Sequence, residues 1–252
     1  MKKLVVGNWK MNPTTLAEAK RLSDLIKKGS KRIRNVEVVI CPPFVYLATS
    51  DKRQATKIKL GAQNCFWEEK GAFTGEISPK MLKDLGVKYV ILGHSERRQI
   101  LKETDETISD KIKEALKFGL QPILCLGETK EEREKGETYK ILEKEIKEDL
   151  KKIPKTKIGK IVIAYEPIWA IGSGDPCSVP DAVATILFLK KIISQTFNKR
   201  AGKTIRILYG GSVNSQNAGD FLKERWIDGL LVSGASLVKK EFLKILKIAQ
   251  KI

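Results

Sequence analysis

Histidine is nearly missing from this chain: His94 is the only one among 252 residues. The four cysteines, Cys41, Cys65, Cys125 and Cys177, are scattered and form no CxxC pair. Zinc sites need several such ligands at close spacing, so no metal is implied, and the cysteines read as buried thiols in a reducing compartment. No stretch approaches the roughly 20 apolar residues that span a bilayer. The early run Leu4-Val5-Val6 is broken by Gly7, Asn8 and Lys10, too soon for the core of a signal peptide. A cytoplasmic protein with no membrane partner is expected. Linkers, low-complexity segments and charge blocks are also lacking, which favours a single domain over 1–252. Acidic residues number 30 against 48 basic ones, giving a formal charge of +18. The lysines are spread over almost every amphipathic stretch and have no aromatic residues interleaved among them. This pattern reads as a solvated surface with general attraction for anions, and not as a specific nucleic-acid site.

What is present is a regular alternation of two patterns. Leu4 to Trp9, Val36 to Ile40, Ile58 to Ala62, Tyr89 to Leu92, Pro122 to Leu126, Ile161 to Tyr165, Ile205 to Tyr209 and Gly229 to Val232 are nearly continuous apolar runs. Strands buried on both faces of a parallel sheet look like this. Between them lie helical stripes. Thr15 and Glu18 suggest a capping box ahead of Leu16, Ala19, Leu22 and Ile26. Ile108, Ile112, Ala115 and Leu116 precede Gly119, and Tyr139, Leu142, Ile146 and Leu150 form a third stripe. Ser178, Pro180 and Asp181 open a helix carrying Val183, Ile186, Leu187 and Ile193. Eight βα units in this length predict an α/β fold, a closed (β/α)8 barrel, with an open doubly wound sheet as the alternative.

In such a barrel, reactive residues sit where strands end. Asn8 and Lys10 follow the first strand, His94 and Glu96 the fourth, and Glu166 the sixth. Taken singly, Asn8 reads as a turn residue, Lys10 as a surface charge and His94 as a helix cap. Together they form a base, a neutral donor, an amide and an ammonium around one mouth. Proton abstraction beside a carbonyl needs that set, because donors must already be in place for the oxygen that becomes negative. A helix starting at Ser95 would disfavour the imidazolium of His94, and Pro167, Ile168 and Trp169 would desolvate Glu166. "YGGSVN" (209–214) and "LVSGASL" (231–237) place glycine and serine at strand-to-helix turns, where backbone N–H groups hold phosphate.

Six stretches in order, "GNWKMN" (7–12), "GAQNCFWEEKGAFTGEISPKML" (61–82), "ILGHSERR" (91–98), "CLGETKEEREKG" (125–136), "AYEPIWAIGSG" (164–174) and "YGGSVN" (209–214), resemble the triosephosphate isomerase family. The resemblance covers essentially the whole chain. It implies interconversion of D-glyceraldehyde 3-phosphate and dihydroxyacetone phosphate through an enediolate, in glycolysis and gluconeogenesis, without a cofactor. By this resemblance Glu166 moves the proton, His94 and Asn8 bond the enediolate oxygens, and Lys10 supplies positive charge. Backbone N–H groups of Gly172, Ser212, Ser233 and Gly234 hold the phosphate, and "PIWAIGSG" is a lid that excludes water. Glu96 supports Lys10 and His94, and Cys125 packs behind Glu166. The long segment 65–79, with Phe66, Trp67 and Phe73, is implied to interdigitate in a homodimer, with Thr74 entering the partner's site.

Two places depart from the family's pattern. Ser233 stands where a glycine is usual, which would be strained if φ is positive there and harmless if it is negative. The far hinge of the lid reads Asp175-Pro176-Cys177, and Pro176 fixes φ and removes a donor. Two rival readings are another phosphate-handling barrel enzyme, which would lack the Asn8, Lys10, His94 and Glu166 set, and a binding protein that uses only its charge.

Overall fold

The computed structural model describes residues 1–48 and 57–252. Its strands are β1 (Lys3–Asn8), β2 (Val36–Cys41), β3 (Ile58–Ala62), β4 (Tyr89–Leu92), β5 (Gln121–Leu126), β6 (Val162–Tyr165), β7 (Arg206–Tyr209) and β8 (Gly229–Val232). Each pairs in parallel with the next, and β1 also pairs with β8, so the sheet closes into a barrel. The open-sheet alternative is thereby excluded.

The continuous apolar runs arise because both strand faces are buried. Leu4, Val6, Val39, Cys41, Ile91 and Ile123 belong to a cluster made of strand residues only, which fills the barrel interior. Their neighbours Val5, Val38, Ile40, Leu92 and Leu124 point the other way and pack with helix residues such as Ile26, Ile112 and Ile146. Each fully buried aliphatic side chain contributes about 1.5–3 kcal/mol. Trp9 is buried but lies one residue past the end of β1.

The helical stripes behave as their spacing predicts, with instructive exceptions. Helix Asp105–Lys117 buries Ile108, Ile112, Ala115 and Leu116 and is followed by Gly119 at φ +70°. In helix Val179–Thr196, Ile186 and Ile193 are buried, but Leu187 faces solvent, since it falls one step off the stripe. Tyr139 is also exposed and packs its ring on Phe188 at 4.5 Å. Thr15 Oγ accepts the Glu18 N–H at 3.3 Å, which is half of a capping box. The complete box is at Thr129 and Glu132, with bonds of 3.2 and 2.8 Å.

At the amino-terminal rim of the barrel one carboxylate joins four strands. Glu37 of β2 accepts bonds from Lys59 of β3 at 2.5 Å, Tyr89 of β4 at 2.6 Å and Arg206 of β7 at 2.8 Å. Burial raises its pKa, but these three donors outweigh burial and bring it from the ordinary 4.5 down to about 2. A depressed carboxylate gives stability that is present above the unfolded-state pKa and is lost as pH falls through the folded one. Glu37→Gln is therefore expected to lower the unfolding free energy by about 1–3 kcal/mol at neutral pH. In denaturant titrations, the gap from wild type should close as pH falls from 4.5 towards about 2.

Candidate active site

At the opposite rim, the strand ends bring the predicted side chains together. Asn8 closes β1 and is buried, and its Oδ1 accepts the Lys10 N–H at 3.0 Å, which leaves its NH2 group to donate. Lys10 has φ +52°, a conformation that costs a non-glycine residue about 1–2 kcal/mol. Besides the Asn8 bond, two contacts hold it there: Gln63 Nε2 donates to the Lys10 carbonyl at 2.7 Å, and Lys10 Nζ meets Glu96 Oε1 at 2.5 Å. Strain retained in this way is characteristic of functional sites.

His94 caps the helix Ser95–Gln99, and its Nδ1 accepts the Glu96 N–H at 3.3 Å. A nitrogen that accepts cannot carry the proton, so the N–H is at Nε2. That Nε2 lies 3.4 Å from Glu166 Oε1. Glu166 is only 3% exposed, and its Oε2 has no hydrogen-bond partner. Behind it, Cys125 is fully buried. Burial first, and the Glu166 carboxylate second, push the Cys125 thiol well above its usual range, so it stays protonated beside the acid.

The residues after Glu166 are tied to the barrel on both sides of a glycine loop. Glu128, buried and shifted upward by that burial, accepts the Trp169 indole N–H at 2.9 Å and faces Tyr165 Oη at 3.2 Å. The Arg133 guanidinium lies over the Trp169 ring at 4.4 Å. Gly172 and Gly174 have φ of +69° and +80°. Ser173 Oγ bonds the Ala170 and Asp175 carbonyls, each at 3.0 Å. Past the Pro176 hinge, the Cys177 N–H is held by Tyr209 Oη at 3.0 Å.

The two glycines of "YGGSVN" have a steric purpose beyond a phosphate turn. A Cβ on Gly210 would lie 2.7 Å from Glu166 Cγ, and one on Gly211 would lie 2.3 Å from Tyr209 Oη. They clear room for the Glu166 side chain and for the hydroxyl that holds the Cys177 N–H. The rest of that loop is fixed by Asn217, which donates to the Ser212 carbonyl at 2.9 Å and accepts the Asn214 N–H at 2.9 Å. Ser233 has φ −102°, so the serine is not in the left-handed region and the departure is of the harmless kind. Its hydroxyl donates to the Asn8 carbonyl at 3.3 Å.

One cavity of about 540 Å3 is lined by Asn8, Lys10, His94 and Glu166 together with Gly172, Ser212, Ser233 and Gly234. Its remaining wall includes Val238 and Glu241, which the sequence had not singled out. A family model described as triosephosphate isomerase matches residues 3–249. The triosephosphate isomerase of Dictyoglomus thermophilum is 49% identical over 247 residues, covering 98% of this chain and 99% of that protein. Those of Aquifex aeolicus and Thermoanaerobacter pseudethanolicus are 50% and 48% identical over 246 and 243 residues. They cover 97% and 96% of this chain, and the matches span 98% and 97% of those proteins.

The chain belongs to the triosephosphate isomerase family.

Of the residues that the resemblance to triosephosphate isomerases singled out, Glu96 lies outside the cavity wall but bonds Lys10 and supplies the N–H that His94 accepts. Thr74 is exposed and does not line this chain's own cavity. Around it, Phe66 stacks on Trp67 at 3.9 Å and packs on Phe73 at 4.6 Å, while Trp67 and Phe73 stay 37% and 43% exposed. Gln63 and Glu128 were missed by sequence reasoning, although both stand just past a strand end, the position that should have drawn attention to them. No helix among the described residues is long and apolar enough to cross a membrane.

Proposed function

We propose that the chain interconverts D-glyceraldehyde 3-phosphate and dihydroxyacetone phosphate, the aldose–ketose isomerisation of glycolysis and gluconeogenesis that follows from its family. Glu166 removes the proton from the carbon beside the carbonyl and returns it to the neighbouring carbon. His94 Nε2 and the Asn8 NH2 donate to the oxygens of the enediolate, and the Lys10 ammonium offsets the charge of the intermediate. Backbone N–H groups at Gly172, Ser212, Ser233 and Gly234 take the phosphate, so closing the lid and gripping the substrate are one event. The proton leaves and returns, so the reaction needs no external electron carrier.

The observation that carries this reading is the facing pair Glu166 Oε1 and His94 Nε2 at 3.4 Å, in one cavity with the glycine and serine turns. A buried acid with one unpartnered oxygen beside a fixed neutral donor suits enolisation. A coupled assay of glyceraldehyde phosphate conversion tests it: fast turnover is expected. Turnover of a different sugar phosphate with none of this pair would assign the barrel to another reaction.

The working form in this proposal is a cytoplasmic homodimer of single-domain chains (1–252), with Thr74 completing the partner's site. The exposed aromatic cluster of 65–79, together with Met11 and Val45 at 88% and 74% exposure, supports it. Light scattering should give twice the 28.3 kDa chain mass. A monomer of full activity would remove this part of the reading.

A further inference from the structure

The turn after β5 is the seat on which the acid rests. The Leu126 carbonyl accepts the Glu166 N–H at 2.8 Å, and the Glu128 carbonyl accepts the Ile168 N–H at 3.0 Å. Between them Gly127 lies flat against the Glu166 carbonyl, since a Cβ there would fall 1.8 Å from that oxygen. The position of Glu166 is therefore set by three consecutive residues of another segment.

A side chain holds the middle of that seat. Glu145, from helix Thr138–Asp149, accepts the Gly127 N–H through Oε2 at 3.2 Å. Its Oε1 lies 3.8 Å from Arg98 Nη1. Arg98 holds the same segment from the other side, donating to the Cys125 carbonyl at 3.2 Å. It also binds Asp105 at 2.7 Å and Asp149 at 2.5 Å. Three carboxylates thus surround one buried guanidinium, and Asp149 Oδ1 has no partner. Such a cluster carries a surplus of negative charge and retains a proton more readily than a balanced one.

We propose that Glu145 is a positioning residue for the acid of this reaction, seating Glu166 through the backbone of Gly127, and that protonation of the Glu145, Asp149 and Arg98 cluster loosens the seat. This rests on the isomerase reading and deepens it. When Glu145 is ionised, its bond to the Gly127 N–H is charge-assisted and the Arg98 attraction is complete; a proton from solvent weakens both. The groups facing Glu145 are Arg98 from helix Ser95–Gln99, Asp105 from the helix it begins, Glu132 from helix Lys130–Glu134 and Asp149 from its own helix. Burial, opposed by Arg98 and by the Gly127 N–H and reinforced by Asp105 and Glu132, brings the Glu145 carboxyl up to about 7. The switch therefore falls in the physiological range.

The test compares kcat and KM from pH 5.5 to 9 for wild type, Glu145→Gln and Glu145→Leu. The glutamine keeps an acceptor for Gly127 but cannot titrate. It is expected to stay within about threefold of wild-type kcat at pH 8 and to lose the acid limb that wild type shows near neutrality. The leucine keeps the volume and loses the acceptor, with an expected fall in kcat of about tenfold or more and KM within about twofold, because misplacing an acid costs rate more than affinity. Leucine-variant kcat equal to wild type, a wild-type profile that is flat from pH 6 to 8, or an unchanged acid limb in Glu145→Gln would each overturn the proposal. If the leucine variant fails to fold, the glutamine profile decides alone. The Gly127 amide resonance gives a readout independent of substrate: it should titrate near neutrality in wild type and not in Glu145→Gln. A titrating amide in a protein without isomerase turnover would mean that the reaction was misassigned and the seat was not.

Discussion

Glu166→Gln is expected to lower kcat by about 10²–10⁴-fold, the range for removal of a general base, while the melting temperature stays at or above that of wild type. The substitution is nearly isosteric, so Gly210 still clears the side chain and the Leu126 carbonyl still holds the backbone N–H. What disappears is a charge that is 3% exposed with one oxygen unpartnered, an arrangement that costs stability in the resting enzyme. Function and stability should move in opposite directions. KM should change little, because the phosphate contacts assigned to Gly172, Ser212, Ser233 and Gly234 are untouched. A coupled assay and calorimetry on one preparation check both halves. Loss of rate with a large fall in melting temperature would mean that Glu166 mainly holds the fold.

The second large effect lies far from the chemistry. Gly229 opens β8 in register with Leu4 of β1, and a Cβ at that position would stand 1.8 Å from the Leu4 carbonyl oxygen and 2.8 Å from its nitrogen. The obstacle is backbone on a neighbouring strand, so no rotamer change relieves it. Gly229→Ala must either part β1 from β8 or bend both strands, at a cost of about 3 kcal/mol or more. The expected outcome is a protein recovered mainly in aggregates. Any soluble fraction should show a denaturation midpoint well below that of wild type. A variant with the wild-type midpoint would mean that the seam is more pliant than its spacing implies.

The strands were legible because burial on both faces leaves an unmistakable apolar run, and the candidate set that shares one cavity could be named because barrels place chemistry just past strand ends. Boundaries were less so: Trp9 is buried and its N–H still bonds the Cys41 carbonyl of β2 at 3.1 Å, yet β1 ends at Asn8. Leu187 and Tyr139 were read as core on spacing alone, but both lie at the edge of their stripes, where exposure depends on the neighbouring helix. Gly210 was legible as a turn residue and not as clearance for Glu166, since that clearance depends on a side chain from a different strand. Glu145 gave no signal in "ILEKEIKEDL", where it is one acid among several. Its distinction comes from Arg98 and Gly127, which no local pattern connects to it.

The closure of the barrel also sets the order of events during synthesis. β1 takes two neighbours, β2 soon after it is made and β8 only when residues 229–232 emerge. Until then β1 has an open edge, and the cavity lacks the part of its wall that Ser233 and Gly234 supply. A nascent chain stopped short of residue 229 should therefore be inactive however well its first seven βα units have formed, and its two unpaired edges are where chaperones, or other copies of itself, would find it.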